Sequence, residues 1–180
     1  MNLWHDMAPE RIQPHDFLAI IEISKGSKNK YELDKDTGML FLDRILYTST
    51  HYPANYGFIS LTYAEDNDPL DVLVLCNEPI IPLSLCRCYP IGMVRMIDEG
   101  FIDNKVIAIP FREPSLNTYT DISELPPHVI NEIGHFFTVY KALEEKQTAV
   151  IEIVGRGEAL KTIADNRAEY KRRFVSREKR

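Results

Sequence analysis

The 180 residues carry 27 acidic side chains against 21 Lys and Arg, a formal charge of −6, with 44% hydrophobic and 27% charged residues. This composition suits a globular chain with a core, and it excludes collagen-like and low-complexity chains and argues against a nucleic-acid clamp. The charge is polarised: residues 161–180 hold eight basic and three acidic side chains, a local +5, which leaves 13 basic and 24 acidic in the preceding 160 residues, a local −11. An acidic body ahead of a basic tail suggests cations bound in the body.

In chain order, residues 1–16 contain Glu, Arg, His and Pro without a continuous apolar run, and read as an N-terminal arm rather than a secretory signal. Phe17–Ile23 reads as a buried strand, Lys30–Leu33 as a second, Asp34–Gly38 as a turn and Met39–Leu46 as a further strand. Tyr52–Gly57 (YPANYG), punctuated by Pro, Asn and Gly, reads as a loop. Leu70–Cys76, Leu85–Met96 and Lys105–Ile109 add strands, and the Pro-rich stretch Phe111–Pro127 reads as a long irregular connection. Val129–Leu143 places Val129, Ile130, Ile133, Phe136, Phe137 and Tyr140 at the spacing of an amphipathic helix. Ala149–Val154 closes the strands, and Glu158–Phe174 reads as a second helix leading into the basic tail at 161–180.

No repeat or linker divides the chain, so 1–180 reads as one domain. Strands first and helices later argue for an α+β fold on an antiparallel barrel or sandwich. Cys76, Cys86 and Cys88 are an odd number in no metal-ligand spacing and read as free thiols, which with the absence of a leader gives a cytoplasmic expectation. The longest apolar runs, such as Val72–Cys76, are too short to span a bilayer, so no membrane partner is expected.

The densest chemical signal is Glu65-Asp-Asn-Asp-Pro-Leu-Asp71. Carboxylates packed this closely repel unless something positive lies among them, and hard divalent cations take such oxygen ligands. Pro69 stiffens the turn, and Asp71 falls on a strand beside the loop acids Asp66 and Asp68. The same cluster elsewhere is often only a solvated turn, and an EF-hand is excluded because the later Gly and Glu are missing. A second group, Asp98-Glu99-Gly100 with Asp103 and Lys105, joins two strands and would by itself be an ordinary hairpin. Against the acids stand Lys30, Arg44, Lys105 and Lys141, which together with them suit an anionic, metal-bound substrate. Tyr47, Tyr52 and Tyr56 could hydrogen-bond phosphate or pack. Neither a P-loop, a dinucleotide fingerprint nor a nucleophile elbow is present, and the five histidines are scattered, with His135 reading as a core residue. The residues thus point to metal-dependent phosphoryl transfer or phosphate binding without identifying the substrate.

The run Asp66-Asn-Asp-Pro-Leu-Asp-Val72 resembles the signature of the soluble inorganic pyrophosphatases of the single-domain, magnesium-dependent class (family I). Glu22, Lys30-Tyr-Glu32, Asp43-Arg44, Tyr52-Pro-Ala-Asn-Tyr-Gly57, Asp98-Glu99, Asp103, Lys105 and His135-Phe-Phe-x-x-Tyr-Lys141 agree with that family in order and spacing, from about Phe17 to about Gly155. The resemblance implies a five-stranded OB-like antiparallel barrel with flanking helices and peripheral strands, and hydrolysis of pyrophosphate to two orthophosphates. It implies three or four Mg²⁺ ions, with Mn²⁺ or Zn²⁺ as substitutes and Ca²⁺ as an inhibitor. It places Asp66, Asp71 and Asp103 on a first metal, Asp71 on a second, Asp98 and Asp103 on a third, and Glu22 on a fourth through water. Asp68 would be the general base for a bridging water or hydroxide, with Tyr56 beside it. Lys30, Arg44, Tyr140 and Lys141 would grip the phosphoryl groups, supported by Lys105, Tyr52 and Glu32. The resemblance further implies a homohexamer, with pyrophosphate and phosphate as partners and no nucleic acid. Two departures stand out: the run Gly100-Phe-Ile-Asp103 lacks an acid the family usually carries, and Gly155-Arg156 replaces a Gly-Trp pair of bacterial members.

Overall fold

The computed structural model describes residues 2–144 and 146–175, so that residues 176–180 of the expected basic tail lie outside the described part. The strands in chain order are β1 (Ile12–Gln13), β2 (Asp16–Ile23), β3 (Asn29–Leu33), β4 (Leu40–Ile45), β5 (Asn55–Ile59), β6 (Leu70–Val74), β7 (Leu85–Asp98), β8 (Phe101–Ile102), β9 (Lys105–Pro110) and β10 (Thr148–Gly155). Two helices, α1 (Pro127–Val139) and α2 (Arg156–Tyr170), complete a mixed, sheet-rich α+β fold. Short 3₁₀ turns at Pro9–Arg11, Ile122–Glu124 and Ala142–Glu144 and one π turn at Lys171–Val175 join them.

The main sheet runs β1-β2-β5-β6-β9-β7-β10, with β8 on β7 and a further pairing of β2 with the start of β7; β3 and β4 form a separate two-stranded sheet. Alternation sends Leu73, Leu75, Ile107 and Ile109 to one core, covered by Ile133, Phe136 and Phe137 of α1. Val72, Val74, Val106 and Ala108 face a second core, closed by Ile163 and Tyr170 of α2 and by Trp4 and Ile12 of the N-terminal arm.

Among the described residues the expected antiparallel sheet holds for every pairing but one: β6 and β9 are parallel, with Asp71 opposite Lys105. A parallel pair needs a long crossover, and here β7 and β8 run through it, so the direction was not visible in either strand's own residues. The expected loop at Tyr52–Gly57 is a loop only at its start, because Asn55–Ile59 is a fully buried strand. Its turn-forming residues serve packing instead. The Asn55 Oδ1 accepts the Lys25 and Ile80 amides at 3.0 and 2.7 Å, and a Cβ at Gly57 would lie 1.8 Å from the Ile20 carbonyl oxygen of β2. The first helix ends at Val139 rather than Leu143, where a 3₁₀ turn takes over, and the second begins two residues early at Arg156. That earlier start has a tertiary cause: the Asp121 carboxylate accepts the Arg156 amide at 2.8 Å and the Ser123 amide at 3.0 Å, capping α2 and the 3₁₀ turn at Ile122–Glu124 together.

Phe111–Pro127 is irregular apart from that 3₁₀ turn. Cys76, Cys86 and Cys88 are free, with Cys88 fully buried on β7. His135 belongs to α1 but lies outside its buried set of Ile133, Phe136 and Phe137. Among the described residues no helix is long and apolar enough to cross a membrane.

Candidate active site

A cleft of about 580 Å³ opens where the ends of several strands meet α1 and the β3–β4 sheet, and all fourteen site residues expected from the sequence line it. Glu22 comes from β2, Lys30 and Glu32 from β3, Arg44 from β4, Tyr56 from β5, Asp71 from β6, Asp98 from β7 and Lys105 from β9. Tyr52 precedes β5, Asp66 and Asp68 lie in the loop before β6, Asp103 lies between β8 and β9, and Tyr140 and Lys141 follow α1.

The centre is a buried charge cluster. Lys105 is 2% exposed, and its Nζ donates to Asp71 Oδ2 at 2.7 Å, to Asp103 Oδ1 at 2.8 Å and to the Tyr56 hydroxyl at 3.1 Å. The Tyr56 hydroxyl in turn donates to Asp71. Burial opposes the Lys105 charge, but Asp103 and Asp71 outweigh it and hold the ammonium well above its ordinary pKa. Burial first, reinforced by the nearby Asp71 carboxylate, raises the Tyr52 and Tyr56 hydroxyls well above theirs and raises Tyr140 as well, so all three stay protonated donors.

Several of the remaining acids are paired with cations, whereas Glu22 and Asp66 are held by backbone amides. Lys141 pairs with Asp98, Lys35 with Asp68, Lys30 with Glu32 and, at 3.4 Å, with Asp43, while Arg44 is held by Asp43 and Glu144. Register explains part of this grouping, since Lys30 lies directly opposite Arg44 in the β3–β4 ladder.

Glu22 is placed by a bulge. The β2–β5 register shifts between Ile21 and Ile23, and the extra residue, Glu22, turns into the cleft, where its Oε1 accepts the Leu33 amide at 2.7 Å. Desolvation, reinforced by the Asp71 charge, pushes its carboxyl up to about 8. Asp66 is pushed up to about 6, first by desolvation and then by repulsion from Asp71, Asp103 and Asp68.

These features fit divalent cations. The donors are hard carboxylate oxygens, which Mg²⁺ and Ca²⁺ prefer, and Asp98 Oδ1 is buried without a hydrogen-bond partner. Among the described residues no three acids, histidines or cysteines stand together as a ready-made metal cluster. Lysine ammonium groups instead occupy the spaces between the carboxylates.

The fold adds residues that sequence reasoning missed. Lys35 sits in the expected Asp34–Gly38 turn and gives no signal of its own, yet it reaches Asp68 across 33 positions. Glu144 lies 100 positions from Arg44, and only the turn after α1 brings it there.

Comparison with known proteins supplies the context for this geometry. A family model described as inorganic pyrophosphatase matches residues 19–171. Soluble inorganic pyrophosphatase 2 of Chlamydomonas reinhardtii is 48% identical over 177 residues, covering 98% of this chain and 92% of the relative. Soluble inorganic pyrophosphatase 1 of Arabidopsis thaliana is 48% identical over 170 residues, covering 93% and 80%. Among solved structures, inorganic pyrophosphatase from Thermus thermophilus superposes with a TM-score of 0.90 at 38% identity, covering 95% of this chain and 99% of that one. Sequence and fold agree, and the chain belongs to the inorganic pyrophosphatase family.

Proposed function

We propose that this cleft hydrolyses inorganic pyrophosphate to two orthophosphates with the help of bound divalent cations, three or four Mg²⁺ in the working state. The observation that carries this reading is the convergence of Asp66, Asp68, Asp71, Asp98 and Asp103 with Lys30, Arg44, Lys105 and Lys141 in one cleft of about 580 Å³. A small, highly charged anion needs both sets, one to hold cations and one to meet phosphoryl oxygens directly.

In this reading Asp66, Asp71 and Asp103 hold one cation, Asp71 shares a second, Asp98 and Asp103 hold a third, and Glu22 reaches a fourth through water. When bound, the cations neutralise the substrate's charge and acidify a coordinated water. Asp68, exposed at the cleft mouth, accepts the proton of the attacking water. The Tyr56 hydroxyl and Lys105 Nζ fix the orientation of Asp71, because both donate to the same oxygen, Oδ2. Lys30, Arg44, Tyr140 and Lys141 grip the two phosphoryl groups and offset charge on the departing one, while Tyr52 and Glu32 support them.

The barrel belongs to the same reading. Its support is the circuit of pairings in which β2 joins both β5 and β7 while β6, β9 and β7 complete the row. The homohexamer is supported by apolar side chains left in water, among them Ile81, Phe101 and Ile151, which are 77%, 60% and 60% exposed.

The test is phosphate release from pyrophosphate, with and without Mg²⁺, beside ATP as the competing substrate. Mg²⁺-dependent release from pyrophosphate with little from ATP is expected. Comparable turnover of ATP overturns the substrate assignment, and no release from pyrophosphate overturns the reading.

A further inference from the structure

The acidic loop that carries Asp66 and Asp68 is tied to the N-terminal arm and to the segment after α2 through Tyr63. Trp4, the sole tryptophan, is 6% exposed in the N-terminal arm. Its indole N–H donates to the Thr62 carbonyl at 2.8 Å, and its own carbonyl accepts the Leu61 amide at 3.0 Å. The Trp4 and Tyr63 rings are parallel within 2° at 6.1 Å. From the segment after α2, Phe174 packs edge-on against Tyr63 at 5.6 Å and against Trp4 at 5.5 Å. The Arg173 guanidinium lies 4.6 Å from the Tyr63 ring centre, and α2 accepts the Tyr63 amide through the Asn166 carbonyl at 3.0 Å.

So enclosed, Tyr63 points its hydroxyl at Asn67, whose Oδ1 accepts it. Asn67 is the apex of the loop and has a φ of +71°, a left-handed conformation that asparagine tolerates better than most residues. Around it the loop closes on itself: the Ala64 amide donates to the Asp68 carbonyl at 2.8 Å, the Asn67 amide to the Ala64 carbonyl at 3.2 Å and the Asp68 amide to Asp66 Oδ1 at 3.1 Å. A second tether runs to the same ring system, since Lys35 pairs with Asp68 and its ammonium lies 4.9 Å from the Trp4 ring centre.

We propose that the N-terminal arm and the segment after α2 form an aromatic clamp that positions the acidic loop 65–69, with Tyr63 as the positioning residue and Trp4, Arg173 and Phe174 as the parts that hold it. The clamp gives the start of the basic tail a purpose: Arg173 and Phe174 act on the cleft from outside it. Its consequence for turnover rests on the functional reading above; its effect on the loop does not.

Two variants test it in the full, metal-free chain. Tyr63→Phe removes only the hydroxyl, and Phe174→Ala removes one wall of the clamp. Amide hydrogen exchange over residues 64–69 is expected to quicken about five-fold in Tyr63→Phe, the effect of losing one net hydrogen bond from a local opening equilibrium. A similar factor is expected in Phe174→Ala through the lost ring packing on Tyr63. Trp4 fluorescence should shift to the red in Phe174→Ala and stay in place in Tyr63→Phe. In the kinetic arm, Tyr63→Phe should raise the Mg²⁺ concentration for half-maximal rate about five-fold and leave KM for pyrophosphate within about two-fold. Unchanged exchange over 64–69 in either variant overturns the clamp, even if the wild-type chain hydrolyses pyrophosphate. A wild-type chain that releases no phosphate overturns the functional reading, while the exchange data still decide the clamp.

Discussion

The Leu33 amide donates to Glu22 Oε1 at 2.7 Å, so the buried acid of β2 is tied to the first strand of the separate β3–β4 sheet. That contact joins the two sheets beside the cleft, and burial, reinforced by the Asp71 charge, outweighs its stabilisation of the carboxylate and pushes the pKa up from 4.5 to about 8.

The direction of the resulting pH dependence follows. Below 4.5 the carboxyl is protonated in both folded and unfolded chains, and its contribution is fully present. Between 4.5 and about 8 the unfolded chain releases the proton while the folded one keeps it, so stability is lost as pH rises through that window. Asp66, raised to about 6, acts in the same direction. The metal-free protein should therefore melt at a lower temperature at pH 8 than at pH 5. Glu22→Gln, which resembles the protonated acid, should flatten that slope and weaken the response to Mg²⁺. Calorimetry across this range checks both, and a midpoint that rises toward pH 8 in the wild type contradicts the assignment.

Lys105→Met should be costly for a different reason. The buried ammonium is the shared partner of Asp71 and Asp103, and its loss leaves two half-buried carboxylates facing each other. A loss of about 3–5 kcal/mol is expected in chemical denaturation of the metal-free protein. Divalent cations should restore more stability to this variant than to the wild type, because they replace the missing charge.

Asp68→Asn should lower turnover by about 10²–10⁴-fold, the range for removing a general base, with the melting temperature nearly unchanged since its side chain is 55% exposed. Asp71→Asn should lower turnover by orders of magnitude as well, but with a change in metal affinity. Near-wild-type turnover in both variants would remove these residues from the chemistry.

Gly57→Ala tests the placement of Glu22. The added Cβ would stand 1.8 Å from the Ile20 carbonyl oxygen, in the register where β2 bulges. Strands β2 and β5 must then separate, at a cost of about 3 kcal/mol or more. Pyrophosphate hydrolysis should fall even at temperatures where circular dichroism shows a folded chain.

Much of the site was legible because its residues conflict with their surroundings. Asp66, Asp68 and Asp71 repel one another unless a cation lies among them, a pattern that a solvated turn shares, and Lys105 at the head of an apolar strand gained meaning only beside those acids and the family resemblance. The strands at Phe17–Ile23 and Leu70–Cys76 were legible from apolar content alone. Tyr52–Gly57 was misread because Asn55 and Gly57 carry turn chemistry in other settings, whereas here one satisfies buried amides and the other admits a neighbouring strand. Asp98 stood in what looked like an ordinary hairpin, and β7–β8 is one; what no spacing could reveal is that Lys141 comes back to it across 43 positions. Lys35 and Glu144 were invisible for the same reason, since their partners are chosen by the fold and not by nearby residues.

The parallel alignment of β6 with β9 has a consequence for how the enzyme comes into being. Asp71 and Lys105 are 34 positions apart in the chain, and they meet only when the long crossover between their strands has closed. Hairpins such as β3–β4 join neighbours and can form early, but this pairing carries the loop-closure entropy of the whole crossover and comes late. A chain halted before that step owns every side chain that lines the cleft but not the cleft itself. A ligand that needs both residues in place favours the closed molecule over the open chain by mass action.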